Sequence, residues 1–527
     1  MSVALGGSHP GVTQQLLHGA DVRPGAEGVG GEGMSKQVGA GAIGDAGRPV
    51  RRAVKRADAE SIRSLRGNGP SDAQQEPLDS GSLRCVPQPP CTHLGLRRRD
   101  GDQDSSPSLE PEPGEPIRTF SALRHSNYRL FFAGQLVSLI GTWMQQMALA
   151  WLVYQLTNSA LLLGIIGGIG SLPMALFSLL GGVVADRVNK RRILLVTQST
   201  MMLLAFVLAG LTGAGWVSTW QVAVLAALSG TTMAFDMPAR QAFLVEMVGP
   251  EDLMNAIALN SSIFNSARII GPAVAGILVA RLGPAWCFFV NGLSFLAVIV
   301  GLLLMRFQPR PARTRVRGIV EDSLEGLRYV RTNRTVLGLL ALLAVFSVFG
   351  WSYNVLMPVF ARDILHAGAQ GLGLLMTSSG VGALVGALLV ASLGEYPRRE
   401  RFLFGGGFLL SAAAAGFAFS RMLHLSMAIL AIGGLGGVAM MSVANTLIQT
   451  SVPDHVRGRV MGVWALVFAG SAPLGSFQAG TLAQYLTAPV AVMIGAAITL
   501  AGTAAAAIGW RRLRRDEPRA PASMVSD

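Results

Sequence analysis

Between Asn127 and Trp510 the chain carries twelve predominantly apolar stretches of about 20 residues, each long enough at helical rise to cross roughly 30 Å of hydrocarbon. They fall at 129–153, 161–185, 193–213, 220–238, 254–280, 285–305, 335–360, 371–393, 402–420, 425–449, 458–485 and 489–510. A helix satisfies its own backbone in lipid, so such stretches become spanning helices and leave no place for an open sheet. The composition agrees: of 527 residues 51% are hydrophobic and 14% charged, against about a quarter charged in a soluble domain. Pro173, Pro272, Pro358 and Pro473 lie inside these stretches, where neighbouring helices tolerate them. The expected fold is an all-α membrane protein of twelve transmembrane helices, with the lipid bilayer as its first partner.

Residues 1–116 read differently. They are rich in Gly, Pro, Ser and Gln, hold 13 Lys or Arg against 15 Asp or Glu, and contain no apolar run, so a disordered cytoplasmic tail is expected. Its basic clusters (Arg51, Arg52, Lys55, Arg56; Arg97, Arg98, Arg99) read as solvated charge rather than a nucleic-acid patch. Cys85, Cys91 and His93 are too widely spaced and lack a fourth ligand, and no cofactor or metal is expected. No apolar leader core follows Met1 and Met34 offers a second start, so a shorter chain is an expectation that N-terminal sequencing checks. There is no phosphate-cradling Gly-x-x-x-x-Gly-Lys-Ser/Thr loop, and the chain does not read as an enzyme.

Orientation follows from the cations. Placing the N-terminus in the cytoplasm puts 26 of the basic residues after position 117 in inside segments and three, Arg281, Arg362 and Arg421, in outside loops. The positive-inside rule then sets both termini in the cytoplasm and requires an even number of spans. Lysine occurs only at 36, 55 and 190, a GC-rich and bacterial signature, and the expected location is the inner membrane.

The two halves repeat at an offset near 205. Trp143-Met144-Gln145-Gln146 parallels Trp351-Ser352-Tyr353-Asn354. Asp186 with Lys190 and Arg192 parallels Glu395 with Arg399 and Arg401, and Leu244 to Glu251 parallels Leu447 to Asp454. Internal repetition of this kind is how many transporters are built. It divides the chain into a six-helix half at 117–306, a linker at 307–334 with an amphipathic helix at 319–330, a second six-helix half at 335–512, and a C-terminal tail at 513–527.

The segment Gly182-Val183-Val184-Ala185-Asp186-Arg187-Val188-Asn189-Lys190-Arg191-Arg192 resembles the cytoplasmic signature of the major facilitator superfamily. It departs at Val184 and at Asn189, where the family has Leu and Gly; Asn189 is expected to keep the left-handed turn, which asparagine tolerates. Phe235-Asp236-Met237-Pro238-Ala239-Arg240-Gln241, with Asn255-Ala256 and Arg268-Ile269-Ile270-Gly271-Pro272, resembles a narrower branch, the enterobactin-exporter-like and macrolide-efflux-like transporters, or transmembrane secretion effectors. The resemblance covers 117 to about 512. It implies the major facilitator fold and a gating role for Gly182, Asp186, Arg187, Lys190, Arg191, Arg192 and Glu395, with Asp186 meeting the start of the eleventh span near Val456–Arg459 in the outward-open state.

The residues themselves add candidates. Asp236 and Arg240 join the gating candidates: they are four apart and pair at the cytoplasmic end of the fourth span if helix continues through Pro238. Asp236 and Glu246 are the acids nearest the membrane interior and the candidates for proton coupling. Arg268 falls near the middle of the fifth span, where a lone guanidinium is costly; it either binds an anionic substrate group or pairs with backbone carbonyls and a cytoplasmic-side acid. Gln145, Gln146, Asn260, Asn265, Trp351, Tyr353, Asn354, Asn445 and Gln478 are cavity candidates, each equally able to bond between helices. Gly271, Pro272 and Gly276 read as a helix-packing motif.

With no ATP site, a secondary transporter remains. The leading reading is proton-coupled export of a small amphipathic molecule, a siderophore or a macrolide-type drug, by a monomer working through alternating access. Uptake or flipping of a lipid-like solute, and a non-transporting receptor or scaffold working through the tail, stand as alternatives.

Overall fold

A computed structural model describes residues 120–249, 251–305, 319–392 and 398–516. The expected N-terminal tail, the basic start of the linker, Glu395 and the end of the C-terminal tail lie outside the described residues.

The fold class is as expected: twelve helices are long and apolar enough to span a membrane. The first half holds α1 (Ser126–Thr157), α2 (Ala160–Arg187), α3 (Lys190–Gly213), α4 (Thr219–Val248), α5 (Leu253–Leu282) and α6 (Pro284–Leu304). An amphipathic helix, α7 (Ile319–Thr332), leads to α8 (Arg334–Ile364), α9 (Gly368–Ser392), α10 (Glu400–Phe419), α11 (Leu423–Ser451), α12 (Asp454–Tyr485) and α13 (Ala488–Asp516). The short connections carry ordinary capping chemistry. Ser159 accepts from the Leu162 amide at 3.3 Å to start α2, the Ser218 amide donates to Gln221 Oε1 at 2.8 Å at the start of α4, and Gly283 supplies φ +87° between α5 and α6.

The largest departure from the expected spans is α4, which runs ten residues past Pro238 to Val248. A proline leaves the carbonyl four residues earlier without its helical donor. Here that carbonyl belongs to Ala234, and Gly181 of α2 packs its α-carbon side directly over it. The same device recurs at Pro272, where Gly380 of α9 lies over the freed carbonyl of Arg268, 3.3 Å from where a Cβ would sit. A neighbouring helix with no side chain at the contact lets the interrupted helix continue.

The halves meet mainly through two helix pairs, α2 with α12 and α5 with α9. Both use glycine against glycine, and the two contacts are symmetry copies. A Cβ on Gly276 would lie 3.2 Å from the Gly373 Cα and 3.3 Å from the Ala369 carbonyl, and a Cβ on Gly480 would lie 2.8 Å from the Gly164 Cα and 2.7 Å from the Ala160 carbonyl.

Before α1, a short 3-10 turn (Ser121–Arg124) is clasped to the α4–α5 junction. The Ala122 amide donates to Asn255 Oδ1 at 3.1 Å, and His125 Nε2 lies 2.8 Å from Asp252 Oδ2. Hydrogen bonds from Ser121 first, and from His125 second, hold the Asp252 carboxyl below the usual carboxylate range. A depressed carboxylate contributes its stabilisation at neutral pH and loses it as pH falls through the folded-state value. Protection of the Ala122 amide against hydrogen exchange, relative to its intrinsic rate at each pH, should therefore fall in acid below that range, and Asp252→Asn should lower it in the same way at neutral pH.

Candidate functional site

Where α8 passes the middle of the bundle it is not regular helix. Phe346–Gly350 and Phe360–Ile364 are π turns, which insert a residue, change the facing of the side chains that follow, and recur at functional sites. The first turns Ser347 and Trp351 into a central cavity of about 300 Å³ between the halves. The second places Arg362 and Asp363 at the end of the bundle opposite Asp186.

The cavity is aromatic, with Trp143, Phe264, Phe346, Trp351 and Phe468 in its wall, and it holds one cation. Arg268 projects from α5 and is 8% exposed. Its guanidinium lies 5.8 Å from the ring of Trp143 and 5.3 Å from the ring of Trp351. Among the described residues no acid pairs with it and no acceptor takes a hydrogen bond from its side chain; the two indoles are its partners. Trp143 and Trp351 are repeat mates, so the duplication brackets the arginine symmetrically. The arginine itself is not duplicated: the close contacts of Gly271 with α1 and of Gly475 with α8 correspond, which sets Ala472 at the position matching Arg268. Indole faces stabilise a cation without neutralising it. The site thus retains one uncompensated positive charge in apolar surroundings, suited to an anionic group on a largely hydrophobic ligand.

A second chamber of about 450 Å³ is lined mostly by the first half and shares Gln146, Asn354 and Val355 with the wall of the first. At its end nearest the Asp186 turn sits Asp236, 2% exposed, accepting from Thr197 Oγ1 at 2.7 Å, Gln198 Nε2 at 2.8 Å and Arg240. The Asp236–Arg240 pair forms because α4 stays helical through Pro238.

The bundle is closed at one end and splayed at the other. At the end away from Asp186 the glycine contacts are joined by Tyr154 donating to Asp363, Arg362 donating to Asn158 Oδ1 at 2.7 Å, and Ser159 donating to Gln484 Oε1 at 3.0 Å. At the other end a Cβ on Gly182, Gly458 or Gly462 would meet nothing within 4 Å among the described residues, and Asp186 is exposed with no hydrogen bond or ion pair to any of them.

Residues 117–523 match the family described as transmembrane secretion effectors. The chain belongs to that family. It is a transporter of the major facilitator superfamily, a multi-pass membrane protein and not an enzyme. Among curated relatives, the staphyloferrin A transporter of Staphylococcus aureus is 26% identical over 66% of this chain and 87% of its own, and the multidrug efflux pump Tap of Mycolicibacterium fortuitum is 29% identical over 64% and 84%. The fold is shared with a solved bacterial homologue of the human lysosomal transporter Spinster, in an inward-facing and occupied conformation, at a TM-score of 0.60 and 13% identity, covering 78% of this chain and all of that one.

In this transporter Gln146, Arg268, Pro272, Trp351 and Asn354 line the central cavity, and Gln145 lines the second chamber, accepting from Asn291 Nδ2 at 2.8 Å. Others lie elsewhere. Tyr353 packs behind Trp351 against Phe417, Asn265 donates to the Ser261 carbonyl of its own helix, and Asn445 accepts from Gln449. Asn260 and Gln478 line neither chamber. Gly271 packs on α1 against Ile140 and Trp143, and Gly276 makes the α5–α9 contact. Lys190 pairs with Glu246 at 2.8 Å, Arg191 donates to the Leu303 carbonyl at 3.1 Å, and Arg187 and Arg192 are exposed.

One expectation of the signature is corrected. Asn189 has φ −59°, not left-handed, and its side chain accepts from the Arg192 amide at 3.3 Å, so asparagine serves as the N-cap of α3. Sequence reasoning missed Trp143 as a cavity residue, although its repeat mate Trp351 was a candidate and the pairing was the available signal. It also missed Phe264, four residues and one helical turn before Arg268, and Asn291, Ser347 and Ser379, which carry no motif.

Proposed function

We propose that the transporter exports a small amphipathic molecule bearing an acidic group, of siderophore or drug type, across the inner membrane in exchange for protons. The observation that carries this is Arg268, buried between Trp143 and Trp351 with no acid among the described residues to neutralise it. The names of the relatives, a siderophore transporter and a multidrug efflux pump, support the cargo class. With the positive-inside rule, the splayed end bearing Asp186 is the cytoplasmic one, both termini are cytoplasmic, and the conformation is the one that loads cargo from inside the cell. Closing that end and opening the Tyr154–Asp363 end completes alternating access in a monomer.

Asp236 is the proposed proton site. Three donors converge on its two oxygens, and a proton there displaces the Arg240 contact, freeing Arg240 as the cytoplasmic end rearranges. In proteoliposomes, Asp236→Asn is expected to abolish transport driven by a pH gradient while the protein still inserts and still binds cargo. Unchanged gradient-driven transport by this variant would remove Asp236 from the mechanism.

A further inference from the structure

We propose that the chamber inside the first half is a second ligand subsite, taking hydrogen-bond donors, amine or hydroxyl groups, on the same cargo whose acidic group sits at Arg268. This rests on the reading of Arg268 given above. The two chambers are neighbours that share Gln146, Asn354 and Val355 in their walls, yet their chemistry differs. The central one is aromatic and carries a net positive charge. The inner one sets carboxamides, Gln135, Gln145, Gln198 and Asn291, into a largely aliphatic wall, and its charged pair, Asp236 and Arg240, is self-neutralising.

Two of those carboxamides carry a buried carbonyl oxygen without a donor. Gln135 and Gln198 are 1% and 2% exposed, and the Oε1 of each accepts no hydrogen bond. For Gln198 the orientation is forced. A carboxylate accepts only from the NH2 end of an amide, and Asp236 takes Gln198 Nε2 at 2.8 Å, so the carbonyl oxygen is necessarily the free end. Gln145 shows the contrast, its oxygen being taken by Asn291. A buried acceptor without a donor is destabilising; others occur among the described residues, Ser347 and Ser379 in the central cavity and Gln478 outside both chambers, and Gln135 and Gln198 are the two such carboxamides that line the inner chamber. A cargo that brings N–H or O–H groups relieves that penalty on binding, whereas an analogue without them leaves it in place, which is how such a site discriminates. The combined space falls in the range of about 300 to 1,000 Å³ found for drug-sized ligands.

The test is binding of three dyes on one xanthene ring system to the purified full-length protein, followed by fluorescence anisotropy. Rhodamine 110 carries a carboxylate and unsubstituted amino groups, rhodamine 123 is its methyl ester, and rhodamine B keeps the carboxylate but has fully alkylated nitrogens. Gln135→Leu and Gln198→Leu are each expected to weaken rhodamine 110 about three- to tenfold, the worth of one hydrogen bond, and to leave rhodamine B within about twofold. The rhodamine 110 to rhodamine B affinity ratio therefore falls in both variants. A ratio unchanged in both, or equal weakening of the two dyes, overturns the subsite. Preference for rhodamine 110 over rhodamine 123 reports on Arg268 separately: if that preference is missing in the unmodified protein, the reading of Arg268 fails and the proposal with it. Leucine is close to glutamine in volume; Gln135→Leu removes the unsatisfied atom and should fold with unchanged or higher melting temperature, whereas Gln198→Leu also removes a donor to Asp236 and should melt lower, so Gln135→Leu carries the test where the second variant fails to fold.

Discussion

Replacing Arg268 by glutamine is expected to lower transport of carboxylate-bearing cargo by roughly 100-fold, from the loss of about 2 to 5 kcal/mol that a buried charge contributes to an opposite charge. Lysine should not rescue. Its compact ammonium cannot lie flat between two indoles as a guanidinium does, and it is harder to desolvate. The stability change should have the opposite sign. The guanidinium is buried, lacks an acid and donates no side-chain hydrogen bond, so its removal lifts a desolvation penalty and Arg268→Gln should melt at a higher temperature than the unmodified protein. An arginine kept for packing would give the reverse, a lower melting temperature with cargo selectivity unchanged. Transport assays with rhodamine 110 and its methyl ester, run beside thermal melts, separate the two.

Gly373→Leu and Gly480→Leu should stop turnover. Each glycine closes one of the two symmetric contacts between halves, with the nearest partner carbonyl oxygen 2.5 Å (Pro272, for Gly373) or 2.7 Å (Ala160, for Gly480) from where a Cβ would stand. Backbone cannot yield as a flexible side chain can, and overpacking of this kind costs about 1 to 3 kcal/mol, enough to shift a two-state equilibrium by about 5- to 150-fold. The closed end is then disfavoured and the outward-open state accumulates. In a background with Cys85, Cys91 and Cys287 replaced, a cysteine at the cavity residue Ser347 should become reactive to an impermeant maleimide applied from the side of Tyr154 and Asp363. Reactivity confined to the Asp186 side would contradict the assignment of these glycines to the gate.

The twelve helices were readable because lipid leaves the backbone few alternatives, and the apolar length of each span registers that demand directly. The end of α4 was not readable, because Pro238 is tolerated by Gly181, a residue of a different helix more than fifty positions away. For the site, the repeat and the misplaced charge were the informative signals. Arg268 stood out as a cation in an apolar span, and Trp143 and Trp351 stood out as mates. Which polar residues face the interior was not readable, since a helix surrounded by lipid on one side and apolar neighbours on the other carries little amphipathic pattern. Asn260 and Asn265 looked as suitable as Phe264, and it is Phe264 that lines the cavity. The π turn that aims Trp351 inward is likewise a matter of packing that no local motif announces.

Uptake of rhodamine 110 into energised inverted membrane vesicles, with and without a protonophore, is the most direct measurement. Proton-coupled export predicts accumulation in the vesicle lumen that depends on the transporter, collapses with the protonophore and is lost in Arg268→Gln. Accumulation that survives the protonophore would contradict proton coupling, and an absence of accumulation by protein that binds the dye would contradict export.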